Sequence, residues 1–120
     1  MNIPISSPRL DINDMRRRLG DDDALIADLI GLFVEDYPAQ LAAIEAAVTT
    51  RQLDALRREA HGLKGAASNL SAGGVIEAAA ALERMAERGD ASQLDQQFRQ
   101  LTLEVELLVH DVRQAPSAKL

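Results

Sequence analysis

The chain has 120 residues, a formal net charge of −6 and no cysteine. That length suits one domain able to bury its own core, and the lack of thiols excludes disulfides and thiolate metal sites. The acidic balance argues against a general binder of nucleic acid or anionic membrane, either of which needs a basic face. Hydrophobic residues make up 47% of the chain but aromatic ones only 2%. Much of the apolar share is alanine and leucine, which favours helices over strands. No apolar run approaches the roughly 18 residues that span a bilayer, and MNIPISSPRLDIND lacks the basic and apolar regions of a signal peptide. The expectation is a soluble, cytoplasmic, monomeric single domain over residues 1–120, with a helical core over about 10–113.

In chain order, MNIPISSP is an arm, because Pro4 and Pro8 block regular structure. Asp11 can N-cap a short helix over 12–18 that stops at Gly20. Asp21, Asp22 and Asp23 then form an acidic first turn suited to the positive end of a helix dipole. They lack the glycine-containing loop and terminal glutamate of an EF-hand, so they read as capping. From there Ile26, Ile30, Phe33, Tyr37, Leu41, Ile44 and Val48 recur at steps of four and three, an apolar stripe on one long helix. Pro38 is predicted to interrupt and kink that helix near Val34 or Glu35.

Three further stripes follow. Leu53, Leu56, Ala60, Leu63, Ala67 and Leu70 form the first; Val75, Ala79, Leu82 and Ala86 the second; Leu94, Phe98, Leu101, Val105, Leu108 and Val112 the third. The breaks lie at 49–52, at 71–74 and at Gly89 and Asp90. Short connections make consecutive helices antiparallel neighbours, so the predicted architecture is all-α: an up-down-up-down four-helix bundle with a short extra N-terminal helix. The tail over 114–120 has no periodicity and is predicted to be disordered.

The run AHGLKGAAS, residues 60–68, places Gly62 and Gly65 inside a helix, where each weakens it by about 1 kcal/mol relative to alanine. At about 100° per residue, His61 lies roughly 130° from the core direction of its stripe and faces solvent. Lys64, Gly65 and Ser68 fall within roughly 60° of it, and Arg57 stands one turn earlier. A lone histidine is ordinarily a solvated or core-satisfied side chain. The combination here supports more: an exposed imidazole is substantially neutral at pH 7 and offers a ring nitrogen as nucleophile. A cation one turn on can stabilise a phosphoryl group placed there. Missing side chains at Gly62 and Gly65 would admit another protein's active site.

These residues match a known pattern. His61-Gly62-Leu63-Lys64-Gly65, continued by Ala66-Ala67-Ser68-Asn69-Leu70-Ser71-Ala72, resembles the H-x-L-K-G signature of histidine-containing phosphotransfer (HPt) domains of two-component phosphorelays. The likeness covers about residues 10–113. LGDDDALIADLIGLFVEDYPAQLAAIEAAV is similar to the helix before the phosphorylated one, and AAAALERMAERGD to the one after it. The resemblance implies that His61 accepts the phosphoryl group, Lys64 steadies it and Gly65 admits the partner, with Arg57, Gly62 and Ser68 on the binding surface. Glu83 falls where the family often has glutamate or glutamine near the histidine; on sequence alone it either orients the imidazole or is an ordinary solvated side chain. Ser71 stands where the family usually has glycine, with Gly73 and Gly74 just beyond, so the helix end is expected to be displaced.

The implied partners are response-regulator receiver domains, a hybrid sensor histidine kinase, or both. The implied step passes a phosphoryl group from a receiver's aspartyl phosphate to His61 and on to another receiver. No cofactor is implied for this chain, the Mg²⁺ belonging to the receiver. Neither G-x-x-x-x-G-K-[ST] nor G-x-G-x-x-G is present, so ATP binding and self-phosphorylation are not expected. Leu25, Leu29 and Leu32 lie off the main stripe; they are expected to pack against the N-terminal helix or neighbouring core, with a docking rim as the other possibility. His110 reads as solvated. The alternative function is a helical-bundle adaptor that docks a receiver or other signalling protein and carries no phosphate.

Overall fold

In the computed structural model, which describes residues 9–114, five helices follow one another: α1 (Ile12–Leu19), α2 (Asp23–Thr49), α3 (Leu53–Asn69), α4 (Gly73–Arg88) and α5 (Leu94–Gln114). The predicted arm over 1–8 and tail over 115–120 lie outside the described residues. Helices α2 to α5 form the antiparallel up-down-up-down bundle, α2 packing against both α3 and α5, and α4 against both α3 and α5. α1 rests on α2 and buries Ile12 and Met15.

The stripes account for the core. Ile26, Ile30, Phe33, Ile44 and Val48 of α2 are buried, while Tyr37 and Leu41 are half-buried beside them. α3 and α4 associate most closely, along a seam of small residues that includes the fully buried Ala60, Ala67 and Ala79. Side chains this short let two helix backbones approach, which matters for the site below.

Helix starts follow from local chemistry. The side chain of Asp11 accepts the Asp14 N–H at 2.9 Å and that of Asp22 accepts the Leu25 N–H at 3.0 Å, each satisfying a donor that the helix leaves free. Helix ends share one geometry. After α2, α3 and α4 the chain closes a Schellman turn, with bonds from Gln52 to Ala47 and Arg51 to Val48, from Ala72 to Ala67 and Ser71 to Ser68, and from Asp90 to Met85 and Gly89 to Ala86. The left-handed position falls on Arg51 (φ 57°), Ser71 (φ 52°) and Gly89 (φ 69°).

At two of these ends a side chain other than glycine accepts the left-handed strain, about 1–2 kcal/mol, and makes bonds that offset it. Arg51 donates to the Val48 carbonyl at 2.6 Å and pairs with Asp95 at the start of α5. The Ser71 hydroxyl donates to Asp14 and accepts from Arg18, and Arg18 also donates to the Ser68 and Asn69 carbonyls. α1 thereby ties down the carbonyl end of α3, eight residues beyond His61.

Two expectations are corrected. α2 runs through Pro38 without interruption, since Pro38 lies on the exposed side and buried residues on either side of it, Phe33 before and Ile44 after, hold both halves in one core. The break before α4 covers Leu70 to Ala72, so Gly73 and Gly74 belong to the first turn of α4. A Cβ at Gly74 would meet only the carboxylate end of the Glu104 side chain on α5, which is free to swing aside.

The α1 latch makes a testable statement about pH. The Ser71 hydroxyl, then the Arg18 guanidinium, hold the Asp14 carboxyl below its usual range. A carboxylate whose folded pKa is depressed contributes stability above its unfolded value of about 3.9, and that contribution disappears as pH falls through the folded value. Asp14→Asn is therefore expected to lower the melting temperature at about pH 6, with the gap from the unsubstituted protein closing on acidification towards about pH 3, as read by thermal denaturation.

Candidate functional site

α3 carries its apolar stripe inward, with Leu56, Ala60, Leu63 and Ala67 buried, and so turns His61 outward. The His61 side chain is 66% exposed. Gly62 and Gly65 flank it on the surface, and a Cβ built on either would meet nothing within 4 Å. Packing inside the molecule therefore gives no reason for glycine at these two positions.

From α4, Glu83 reaches across the seam of small residues. It is a buried charged residue, 8% exposed, and both of its oxygens are committed. Oε2 lies 2.9 Å from His61 Nδ1, and Oε1 lies 2.6 Å from Lys64 Nζ. The Lys64 hydrogen bond is the main influence holding the Glu83 carboxyl below the usual range; burial opposes it and the contact with His61 assists. An ionised carboxylate can only accept, so Nδ1 must carry the ring proton. In the neutral ring this leaves the Nε2 lone pair free on the exposed side.

Each sequence-derived site residue can now be placed. His61, Gly62, Gly65 and Ser68 share the exposed face of α3, and Arg57 is exposed one turn earlier. Ser68 turns its hydroxyl back to the Lys64 carbonyl at 2.8 Å. Lys64 departs from the surface patch that the helical wheel suggested: it is half-buried and paired with Glu83. The question left open for Glu83 is answered, since it contacts His61 and Lys64 together. The signal was in the spacing, because Glu83 sits four residues after Ala79 and three before Ala86, on the same side of α4 as the core stripe.

The three leucines divide. Leu29 packs against the core as expected, but Leu32 and Leu25 stay exposed, at 55% and 39%. Leu29, Leu32, Phe33, Asp36 and Gln40 of α2 line a shallow groove whose other wall is Ala66 and Asn69 of α3. His110 is exposed on α5, as expected. Among the described residues, no cluster of three His, Cys, Asp or Glu side chains could hold a metal ion, and no helix is long and apolar enough to cross a membrane.

A four-helix bundle that presents one exposed imidazole in mid-helix, oriented by a carboxylate from the next helix, defines the class of histidine phosphotransfer domains. The chain belongs to that family: the model of the Hpt domain matches residues 28–115. The crystal structure of histidine-containing phosphotransfer protein B (HptB) from Pseudomonas aeruginosa PAO1 is similar, with a TM-score of 0.82 and 27% sequence identity, covering 91% of this chain and 95% of that one. Among curated proteins, no sequence matches. The chain is thus a phosphotransfer carrier of two-component signalling.

The open space around Gly65 leads to an expected outcome. Gly65→Ala should fold normally and raise stability by up to about 1 kcal/mol, since the methyl group meets no neighbour and the helix gains propensity. Chemical denaturation with the midpoint compared at constant m-value checks this; a loss of stability would reveal an internal contact at Gly65.

Proposed function

We propose that His61 accepts a phosphoryl group at Nε2 from the aspartyl phosphate of a receiver domain and passes it to a second receiver. The observation that carries this reading is the pairing of Glu83 with Nδ1 at 2.9 Å beneath a ring that is otherwise largely exposed. It fixes one nitrogen as the donor and leaves the other as the nucleophile. Transfer through a loose transition state demands in-line approach more than chemical machinery, and most of the electrostatic stabilisation, with the Mg²⁺, belongs to the receiver. Open space above Gly62 and Gly65 supplies that approach.

The other roles follow from position. Arg57 and Ser68 flank the ring on the same exposed face, where a cation and a hydroxyl suit the acidic site of a receiver. Lys64 sits near enough to the ring to act on its electrostatics. Leu32, with Leu25 and the groove towards Ala66 and Asn69, supplies the apolar rim that docking needs. A receiver phosphorylated by a hybrid sensor kinase is the donor that fits this chemistry. We place the reaction in the cytoplasm and the chain in it as a monomer.

A transfer assay tests the proposal. The protein should take up phosphate from a phosphorylated, Mg²⁺-loaded receiver, and the label should be lost in mild acid, as a phosphoramidate is; phosphate on Ser68 would survive that treatment. His61→Gln should take up none while keeping its helical circular dichroism. Gly65→Leu should slow transfer by about tenfold or more without loss of stability, because its side chain projects into the approach path. Uptake by the His61→Gln variant would overturn the assignment to His61, and a lack of uptake by the unsubstituted chain would favour the adaptor reading.

A further inference from the structure

We infer that the Lys64–Glu83 pair serves the second half of the relay, keeping the Nδ1 proton on the ring while His61 carries the phosphoryl group, so that the imidazole departs neutral. This rests on the reading of His61 as the carrier. In the donating step an aspartate oxygen of the acceptor receiver forms the new O–P bond. The Nε2–P bond breaks and its electron pair stays on Nε2. With a proton on Nδ1 the leaving group is neutral imidazole; with Nδ1 bare it is imidazolate, a far more basic and poorer leaving group. A carrier that must give as well as accept therefore needs Nδ1 protonated throughout, and rising pH works against it.

The geometry supplies the remedy. Glu83 Oε2 lies 2.9 Å from Nδ1, and an adjacent negative charge favours the protonated ring. Lys64 Nζ, 2.6 Å from the other oxygen, keeps that carboxylate ionised and fixed in place. Lys64 thus acts on the ring through Glu83, as a positioning residue. The charged groups about the ring are Glu83 from α4 and Lys64 on α3, with Arg57 one turn earlier on the same face. α2 presents Asp36 to the groove beside Ala66 and Asn69, at least one turn further along α3.

Glutamine at position 83 separates charge from geometry, since its amide oxygen can still accept from Nδ1 but carries no charge. The experiment phosphorylates the full chain with phosphoramidate, removes the reagent, and follows single-turnover transfer to one Mg²⁺-loaded receiver domain between about pH 6 and pH 9. Using the same receiver throughout cancels its own titration from the comparison. The pH at which the donating rate halves should fall by about one to two units in Glu83→Gln. It should fall by less in Lys64→Gln, and no further in the double variant than in Glu83→Gln alone. A merely structural loss would lower the donating rate at every pH alike and lower the melting temperature, whereas the proposed role moves the midpoint of the pH profile. Coincident midpoints in chains phosphorylated on His61 overturn this inference and leave the carrier reading intact, and an additive double variant overturns the action of Lys64 through Glu83. A wild-type chain that takes no acid-labile phosphate overturns both.

Discussion

The site depends on one buried carboxylate. Burying an unpaired charge is costly enough that a protein neutralises or pairs it, and Glu83 is paired at both oxygens. His61 and Lys64, three residues apart on α3, straddle it from one face of that helix. The arrangement holds only while α3 and α4 stay close and in register, and the buried alanines at 60, 67 and 79 allow the closeness. The core and the reactive ring are thus mechanically one object. Moving α4 by a fraction of a turn would leave a buried negative charge without partners.

The helix ends keep that register. Schellman turns after α2, α3 and α4 make each reversal short and directed, so neighbouring helices have little freedom to slide. The reversal between α3 and α4 is reinforced from α1, where Arg18 and Asp14 hold Ser71 in its left-handed conformation and cover the last carbonyls of α3. A serine at this turn is less comfortable than a glycine, yet it contributes a hydroxyl that glycine lacks. The short N-terminal helix is consequently part of the support beneath the site.

The sequence was most informative where a single period decides the outcome. Stripes at steps of three and four located the four helices of the bundle and most of their buried residues, because burial on one face is a local property of a helix, whereas α1 was read from its cap and the glycine after it. The outward direction of His61 followed from the same count. It was least informative where two effects compete. The proline rule favoured a break at Pro38, but the apolar contacts on both sides of it prevailed. Gly73 and Gly74 read as a turn by composition, yet they form the first turn of α4, which begins directly after Ala72. Leu25 and Leu32 read as packed residues from their hydrophobicity, although α1 covers only part of α2 and leaves them at the surface.

What the sequence by itself determined was the bundle, the exposed histidine and the two glycines beside it, since all three follow from angular position on one helix and from the residue types there. What only the tertiary structure decided was the partner of each charge. Lys64 on the wheel is an exposed cation; in the fold it turns to Glu83, an acid 19 positions further along, from α4. That choice depends on how closely two helices pack, a distance that no periodicity within either of them specifies.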